Sequence, residues 1–236
     1  MMDPHFREMD VVILCGGMGT RLQPVIADRP KSLAPLGDST FLDILIDSLK
    51  KYGFRKFILC TGYMKEQILG HYKDTDDDAI VFSEEDTPLG TGGALKNAQS
   101  LISSGTVLVM NGDSICDVDF NKFYTFHTSR KALLSMALVT SKDRDDFGSV
   151  FLNESGKIVR FREKDGSASQ GFINAGIYLM DTKIFAHMPV MPRFSLEYDF
   201  FPGIIRENCY GFVTGGELMD IGTPERFEKA AHFFGK

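Results

Sequence analysis

A glycine-rich loop bounded by two permanent positive charges is the part of this sequence best suited to chemistry. An apolar run over residues 11–14 leads into it, Arg21 closes it, and Lys31 follows directly after Pro30. The loop residues are Cys15, Gly16, Gly17, Met18, Gly19 and Thr20. Glycine allows a backbone to approach a ligand closely and to turn its N–H groups toward anionic oxygens. Because Arg21 and Lys31 add full charges to that cradle, the loop predicts a site for a polyphosphate.

Two better-known glycine loops do not fit these residues. The P-loop ends in a lysine followed by serine or threonine, and no lysine closes this loop. The dinucleotide fingerprint requires a third glycine where Leu22 stands, and an acidic residue after the second strand, which here ends in Cys60-Thr61-Gly62. A tight strand-to-helix turn is the alternative explanation for the glycines alone. The two cations at this spacing favour a ligand site.

Two aspartates add carboxylates to the same predicted site. Asp113 follows the apolar run 107–110, and Asp220 precedes the segment 221–225, which has the pattern of a helix start. Magnesium in proteins is usually held by one or two carboxylates together with phosphate oxygens and water. Two carboxylates and two cations around a phosphate cradle therefore predict a Mg²⁺-nucleotide site. Each aspartate alone would also suit a turn or a helix cap.

The elements that position these residues alternate between strand and helix in the first half of the chain. This alternation is typical of a Rossmann-like α/β fold, with a mixed, mostly parallel sheet flanked by helices. We expect strands at 11–15, 56–61, 79–82 and 107–110, and helices at 42–52 after the N-cap Thr40, at 64–71 and at 90–101. In such sheets ligands bind at the carboxyl ends of the strands.

Beyond residue 130 the pattern changes to paired strands, which predict a small β-rich part. We expect strands at 133–139, 149–152, 158–161, 172–180 and 211–214, a turn at 153–156, and helices at 182–187, at 195–208 and from Thr223 onward. Residues 1–9 are predicted to be a flexible leader. Residues 10–236 are predicted to form one domain, with a nucleotide-binding half at about 10–130 and a sugar-phosphate-binding half at 131–236.

Composition excludes several classes of protein. The chain has 236 residues, 43% hydrophobic and 25% charged, with a net charge of −6 and no basic run that could neutralise a nucleic acid backbone. No stretch has the length of a membrane span, and the start has no signal-peptide pattern. Four separate cysteines without metal-ligand spacing indicate reduced thiols in a cytoplasmic protein. The acidic run 74–78 lacks the calcium-loop pattern, which favours a solvated loop.

The motifs occur in one order that resembles the sugar-1-phosphate nucleotidyltransferases across nearly the whole chain. The segments that carry the resemblance are Leu-Cys-Gly-Gly-Met-Gly-Thr-Arg-Leu at 14–22, Pro-Lys at 30–31, Pro-Leu-Gly-Thr-Gly-Gly-Ala-Leu at 88–95, Asn-Gly-Asp at 111–113, Phe-Arg-Glu-Lys at 161–164, Asn-Ala-Gly-Ile-Tyr at 174–178 and Asp-Ile-Gly-Thr-Pro at 220–224. The first loop and segment 88–95 are most similar to the D-glycero-α-D-manno-heptose 1-phosphate guanylyltransferases.

The resemblance implies a reaction and a set of roles. A sugar 1-phosphate would attack the α-phosphorus of a nucleoside triphosphate and displace pyrophosphate, giving an activated sugar for a surface polysaccharide or glycoprotein. Arg21, Lys31 and Asp113 would be catalytic, and Asp113 and Asp220 would hold Mg²⁺. The implied nucleotide-binding residues are Leu14, Cys15, Gly16, Gly17, Gly19, Thr20, Glu85, Gly90, Thr91 and Gly92. Those implied for the sugar phosphate are Gly112, Glu163, Lys164, Asn174 and Gly176.

The residue chemistry also favours one base. A carboxylate only accepts hydrogen bonds, and guanine presents two adjacent donors on its Watson–Crick edge. If Glu85 faces the base, GTP is the expected substrate. The alternative is that residues 84–86 form a solvated acidic loop.

Other functions remain open from the sequence. Within enzymes, a mannose-1-phosphate guanylyltransferase or another uridylyl- or cytidylyltransferase would share these motifs. A nucleotide-sugar-binding regulatory subunit is the alternative outside catalysis, although it would have little use for a magnesium site. The phenylalanine-rich second half could supply core or a subunit interface, so a homo-oligomer is left open.

Overall fold

The computed structural model describes residues 4–73, 79–140, 149–162 and 171–234. The predicted solvated loop at 74–78 lies outside these ranges. The helices are α1 (Pro4–Glu8), α2 (Phe41–Tyr52), α3 (Lys65–Tyr72), α4 (Gly90–Asn97), α5 (Phe120–Ser129), α6 (Phe201–Ile204) and α7 (Pro224–Phe234), with 3-10 helices at Lys31–Leu33, Ala98–Leu101 and Thr182–His187 and a π-helical turn at Leu196–Phe200.

The strands follow the two patterns that the sequence shows. They are β1 (Asp10–Leu14), β2 (Pro35–Leu36), β3 (Ser39–Thr40), β4 (Lys56–Thr61), β5 (Ile80–Glu84), β6 (Thr106–Asn111), β7 (Ser114–Cys116), β8 (Leu134–Val139), β9 (Ser149–Leu152), β10 (Ile158–Arg162), β11 (Phe172–Asp181), β12 (Cys209–Val213) and β13 (Leu218–Asp220). Two of the strands, β4 and β9, have the bounds that the sequence predicts, 56–61 and 149–152.

A mixed central sheet of nine strands runs through the described residues. Its main path is β10-β9-β11-β6-β1-β4-β5, and β8 joins β11 to β12. Strands β6, β1, β4 and β5 pair in parallel, whereas β11 is antiparallel to β6, β8 and β9. The predicted fold class is confirmed, because the parallel strands of the first half form one side of the sheet and the β-rich second half extends it beyond β6.

The core lies on both faces of this sheet. Strands β1, β4 and β6 are almost wholly buried, as expected for parallel strands covered by helices on both sides. One apolar cluster includes α2, α3 and α5, and the other includes α4 and the segment 194–204. Phe194, Phe200 and Phe201 are buried in the second cluster, so these side chains belong to the core.

Helix α2 begins where the sequence predicts. The Thr40 side chain accepts a hydrogen bond from the backbone N–H of Asp43, and the Asp43 carboxylate accepts one from the backbone N–H of Thr40. This reciprocal capping box satisfies donors that a helix start would otherwise leave unpaired. Gly53 ends the helix at a φ of 110°, a conformation that glycine adopts without strain.

The structure corrects the prediction of a flexible leader for the described part of residues 1–9. Helix α1 forms there, and the Phe6 ring stacks on Phe54 at a centroid distance of 4.7 Å. Phe6 and Met9 are both buried against the main core. Residues 4–9 pack against the domain because Phe6 and Met9 complete that core.

Three further features differ from the sequence prediction. Helix α5 and the short antiparallel pair β7–β13 were not predicted. The expected helix at 195–208 is divided into a π-helical turn and the short helix α6, with Pro202 in the first turn of α6.

Among the described residues, no helix has the length and apolar character needed to cross a lipid bilayer.

Candidate active site

A cavity of about 230 Å³ lies at the carboxyl ends of β1 and β6, where the sequence predicts ligand binding. Strand β1 delivers the glycine loop to it, and β6 delivers Gly112 and Asp113. The described residues that line it are Leu14, Cys15, Gly17, Gly19, Thr20, Arg21, Lys31, Ser32, Gly112, Asp113 and Gly222. The cavity therefore unites most of the residues predicted around the polyphosphate, and all three that were predicted to be catalytic.

Lys31 and Asp113 form an ion pair in the wall of this cavity. Lys31 Nζ lies 2.6 Å from Asp113 Oδ2, and the lysine side chain is only 12% exposed. Burial would raise the pKa of Asp113. The charge and hydrogen bond of Lys31 outweigh that effect, with help from the Ser114 hydroxyl and Arg21, and hold the pKa below its ordinary value. Asp113 is therefore ionised at neutral pH.

Gly222 marks the point where the charged groups converge. A Cβ atom at this position would lie 3.7 Å from Arg21 Nη2 and 3.7 Å from Lys31 Nζ. It would also lie 2.6 Å from Asp220 Oδ1, closer than real side chains allow. Glycine thus leaves room for two cations and a carboxylate around one point in the cavity wall. Gly222 was quoted in a motif but not predicted as a site residue.

The short pair β7–β13 brings Asp220 to the same place. Asp220 lies opposite Ser114 in the antiparallel register, and the backbone N–H of Ile221 donates to the Asp113 carbonyl at 3.1 Å. The Asp220 carboxylate accepts a hydrogen bond from the Gly222 N–H at 2.7 Å, which confirms its expected turn geometry. The turn and the predicted metal site are compatible, because the same turn fixes Asp220 beside Asp113.

The donor set fits the magnesium site predicted from the sequence. Asp113 and Asp220 supply hard carboxylate oxygens at adjoining positions, and Mg²⁺ in nucleotide sites uses one or two such ligands plus phosphate oxygens. In the described residues, no cluster of three or more histidine, cysteine, aspartate or glutamate side chains could hold a metal alone. The two carboxylates would hold the ion together with phosphate oxygens and water, as is usual for Mg²⁺ in nucleotide sites.

Cys15 is not a nucleophile, although it lines the cavity. Burial and the nearby Glu85 carboxylate raise the pKa of its thiol to about 12. Its Sγ donates to the Cys60 carbonyl at 3.1 Å. All four cysteines are free and buried, as predicted. Cys15 therefore packs the base of the loop.

Glu85 lies under the glycine loop. Only 8% of this residue is exposed, and a Cβ at Gly16 would lie 3.4 Å from Glu85 Oε1. Its other oxygen, Oε2, accepts a hydrogen bond from the Leu89 N–H at 3.0 Å. Burial raises the pKa of this carboxyl, and the Leu89 N–H opposes that rise. The interpretation as a solvated acidic loop is wrong for Glu85, while its contact with a base stays a prediction.

The segment from Gly90 to Gly93 packs against a neighbouring loop. The N–H groups of Gly92 and Gly93 donate to the Phe194 carbonyl at 3.0 and 3.2 Å. The Thr91 hydroxyl donates to Glu197 and accepts from the Leu196 N–H. These polar groups of Thr91 and Gly92 have partners within the protein, so the predicted nucleotide contacts of Gly90, Thr91 and Gly92 stay predictions.

The residues predicted for the sugar phosphate lie beside β6 where the structure describes them. Asn174 Oδ1 accepts from the Gly176 N–H at 3.0 Å, within a bulge of β11. Gly176 has a φ of 71°, and a Cβ there would meet the Asn111 side chain at 2.6 Å. Gly176 thus lies against Asn111 at the end of β6, directly before Gly112, and Asn174 is hydrogen-bonded to Gly176. Glu163 and Lys164 lie outside the described residues.

A second cavity of about 240 Å³ adjoins Asp220, and sequence reasoning missed its basic residues. Asp220, Arg226 and Lys229 line it, together with Val139, Thr140, Ile173, Gly216, Glu217, Leu218 and Met219. Arg226 Nη1 lies 3.2 Å from Asp220 Oδ2. The sequence does contain an indication of this pair. An arginine in the first turn of a predicted helix is repelled by the helix dipole, so a nearby acidic residue would be needed to stabilise it.

Comparisons with known proteins agree with this geometry. The family model described as nucleotidyl transferase matches residues 10–236. The D-glycero-alpha-D-manno-heptose 1-phosphate guanylyltransferase of Aneurinibacillus thermoaerophilus is 36% identical, over 94% of this chain and 96% of its own length. The mannose-1-phosphate guanylyltransferase of Mycobacterium tuberculosis is 31% identical, over 95% of this chain and 64% of its own. HddC from Yersinia pseudotuberculosis, solved in complex with GMP-PN, has a TM-score of 0.85 and 35% identity, over 96% of this chain and 99% of its own.

Proposed function

Because this chain belongs to the nucleotidyl transferase family, we propose that it transfers GMP from GTP to D-glycero-α-D-manno-heptose 1-phosphate, giving GDP-heptose and pyrophosphate. One observation carries the proposal beyond similarity: a single cavity holds the glycine loop, Arg21 and the Lys31–Asp113 ion pair, with Asp220 at its edge. This arrangement suits a reaction in which charge on phosphates must be neutralised.

The reaction needs no protein base to create its nucleophile. A phosphate monoester has a second pKa of about 6, so an oxygen of the sugar 1-phosphate is already anionic near neutral pH. That oxygen forms a bond to the α-phosphorus of GTP while the bond from the α-phosphorus to the β-phosphate oxygen breaks, and pyrophosphate leaves with the electron pair. Catalysis then depends on alignment and charge stabilisation, which fits the lack of an activated histidine or cysteine among the described cavity residues.

Arg21 and Lys31 are proposed to bind the triphosphate and to stabilise the departing pyrophosphate. Their cationic groups flank one point at Gly222, so both can face the same anionic group. The ion pair with Asp113 holds Lys31 in place before the nucleotide arrives. Such preorganisation lowers the cost of stabilising charge that develops during reaction.

Asp113 and Asp220 are proposed to hold Mg²⁺. When bound, the ion would neutralise charge on the phosphate oxygens around the reacting phosphorus. Lys31 on one side and the Gly222 N–H on the other fix the orientation of the two carboxylates.

The choice of GTP and heptose follows from the relatives and from Glu85. The heptose enzyme of A. thermoaerophilus matches along nearly its whole length, and HddC was solved with GMP-PN. Glu85 is proposed to accept hydrogen bonds from guanine, and Lys164 to bind the sugar phosphate. Mannose 1-phosphate is the second candidate substrate, because a mannose-1-phosphate guanylyltransferase is 31% identical over 95% of this chain.

The four buried, free thiols support a cytoplasmic location, where cysteines remain reduced. The product would be an activated sugar for a surface polysaccharide or glycoprotein.

Pyrophosphate release tests the proposal directly. The purified protein is incubated with Mg²⁺, the heptose 1-phosphate and, separately, GTP, ATP, CTP, UTP and dTTP. Release with GTP alone is the expected result. Release with another triphosphate keeps the reaction class and overturns the choice of base. If no pyrophosphate is released with any of the five triphosphates, the assay is repeated with mannose and glucose 1-phosphates. No release in that assay either would overturn the enzymatic function and favour a regulatory subunit.

A further inference from the structure

We propose that Arg226 binds the phosphate of the sugar 1-phosphate in the second cavity, and that its ion pair with Asp220 holds it ready there. This inference rests on the proposed function, since it assigns a residue to one of the two substrates of that reaction.

The two cavities meet at the turn that contains Asp220. Gly222 lines the nucleotide cavity, whereas Asp220 and Arg226 line the second one. In an in-line transfer, the attacking oxygen of the sugar phosphate and the departing pyrophosphate lie on opposite sides of the α-phosphorus. A cavity that adjoins the polyphosphate site through a single turn is placed to receive the attacking sugar phosphate.

Helix α7 places Arg226 at this boundary. The helix begins at Pro224, and the Arg226 N–H donates to the Thr223 hydroxyl at 3.4 Å, so Arg226 belongs to the first turn. Acidic residues are favoured in a first turn, because the helix dipole is positive there. A cation at this position is stabilised by an anion, and Asp220 supplies it.

The Asp220 pair is looser than the other ion pair of the site. Arg226 Nη1 lies 3.2 and 3.4 Å from the two Asp220 oxygens, whereas the Lys31–Asp113 pair measures 2.6 Å. Charge-assisted N–H···O bonds are usually about 2.7–2.9 Å long. A dianionic phosphate can therefore compete with Asp220 for the guanidinium, whose planar fork matches phosphate geometry.

Arg226 is better placed to bind a ligand than Lys229, the other cationic residue among the described residues that line this cavity. Its side chain is 23% exposed, whereas that of Lys229 is 70% exposed and pairs with Glu225 at 3.0 Å. A partly buried cation interacts more strongly with a ligand than an exposed one, because water screens it less. Lys229 thus lies at the rim and provides a matched control on the same helix.

The shared partner also connects Arg226 to the metal site. While the Asp220 carboxylate is paired with Arg226, its negative charge is partly neutralised and attracts a metal ion less strongly. Binding of phosphate to Arg226 would therefore strengthen the affinity of Asp220 for a divalent ion, and the effect must be reciprocal. Removing Arg226 should tighten metal binding while it weakens binding of the sugar phosphate, a pair of opposite effects that a purely structural role would not produce.

Calorimetry on the folded enzyme tests the inference. The heptose 1-phosphate is titrated into protein saturated with Mg²⁺ and a GTP analogue whose α–β bridge cannot be cleaved. Replacing Arg226 with methionine is expected to weaken the Kd about 10- to 100-fold, as for loss of a charge-assisted hydrogen bond. The KM for the sugar phosphate should rise similarly, with that for GTP changed less than about threefold. Electron paramagnetic resonance of Mn²⁺ should show tighter binding in the nucleotide-free variant.

Two further variants separate the explanations. Lys229→Met removes a charge from the same helix and should leave the sugar-phosphate Kd within about threefold of the wild type. If Arg226→Met does not fold, Arg226→Gln is measured against the same criteria. An unchanged Kd in an active, folded Arg226 variant, or an equal loss in Lys229→Met, would overturn the inference. Failure of the proposed function looks different, because the wild type itself would then release no pyrophosphate.

Discussion

Lys31 Nζ lies 2.6 Å from Asp113 Oδ2, which joins the 3-10 helix after the glycine loop to the carboxyl end of β6. The pair holds a cation and a carboxylate on the wall of one cavity before any ligand binds. Its partners are 82 residues apart in sequence, and the parallel pairing of β1 with β6 places the glycine loop beside the end of β6 that Asp113 follows.

Asp113→Asn should lower the rate of pyrophosphate release by at least about 100-fold, while the protein stays folded. The amide keeps the shape of the side chain but removes the charge that would hold the metal and that now pairs with Lys31. Initial rates at saturating Mg²⁺ measure the effect, and thermal melting checks the fold. Asp28→Asn serves as the control, because this exposed carboxylate lies in the same loop region and pairs with the neighbouring Arg29 outside the cavity. Retention of more than a tenth of wild-type activity in Asp113→Asn would contradict the role.

Gly222→Ala should impair the site more than the fold. The new Cβ would lie 2.6 Å from Asp220 Oδ1, so the carboxylate must move. We expect the Mg²⁺ concentration for half-maximal rate to rise about tenfold, because a shifted ligand binds the ion less well. Gly215→Ala adds the same methyl group in open space nearby and should behave as wild type. Equal Mg²⁺ dependence in the two variants would refute this reading of Asp220.

Glu85→Gln should weaken the preference for GTP. The amide replaces one acceptor with a donor, which opposes the donors of guanine, and losing such a match costs about tenfold or more. The ratio of kcat/KM for GTP to that for ATP measures the change. Because the Glu85 carboxylate also accepts a hydrogen bond from the Leu89 N–H, thermal melting checks that the variant, whose amide keeps one oxygen as acceptor, remains folded. An unchanged ratio in a folded variant would remove Glu85 from base selection.

Gly92→Ala should destabilise the protein by about 1–3 kcal/mol, the usual effect of forcing a methyl group into packed space. Its Cβ would lie 2.2 Å from Cε2 of the buried Phe194 ring. Gly70→Ala is the matched control, since nothing lies within 4 Å of its Cβ in helix α3. That substitution should stabilise by up to about 1 kcal/mol through helix propensity. Urea unfolding measures the stability of both variants. An unchanged free energy of unfolding in Gly92→Ala would show that the 192–194 loop can shift to accommodate the methyl group at little cost.

His127 should make the protein less stable in mild acid. Burial lowers the pKa of this imidazole to about 4, with Asp181 opposing the shift, and its Nδ1 lies 2.9 Å from the Ser135 hydroxyl. An unfolded histidine has a pKa of about 6.5, so the unfolded state binds the proton first. Stability is therefore complete above pH 6.5 and falls by up to about 3 kcal/mol as pH drops toward 4.

His127→Gln keeps a polar partner for Ser135 and removes the titrating ring. Melting temperature against pH from 7 to 4 should have a flatter slope in this variant than in the wild type. His71→Gln is a comparison at a partly exposed histidine, paired with Asp43. Parallel slopes for wild type and His127→Gln would show that another group causes the acid sensitivity.

The sequence predicted best where local chemistry decides the structure. Thr40 caps α2 because its hydroxyl meets an N–H three residues later, and β4 is a run of apolar residues with clear ends. The glycine loop, Arg21, Lys31 and Asp113 could be placed together because carboxyl ends of parallel strands share one edge.

What the sequence did not predict depends on contacts between distant residues. Strand β13 has three residues, and nothing in them indicates that β7 is their partner. The sequence places Phe6 in a flexible leader, whereas in the structure its ring stacks on Phe54. The sequence does not distinguish Arg226 from other basic residues on helices, whereas the structure places it in the lining of the second cavity. Each of these features is decided by packing, which a local pattern does not encode.

The pairing of β13 with β7 also sets an order of events during synthesis of the chain. A ribosome that has delivered residues up to Asp113 has already exposed the glycine loop, Arg21 and Lys31, but the second carboxylate waits for Asp220. Closing so long a loop is entropically costly and slow compared with local helix formation. A nascent chain thus holds an unfinished set of charges for most of its translation, and its two carboxylates come together only once the strand that ends in Asp220 has left the exit tunnel.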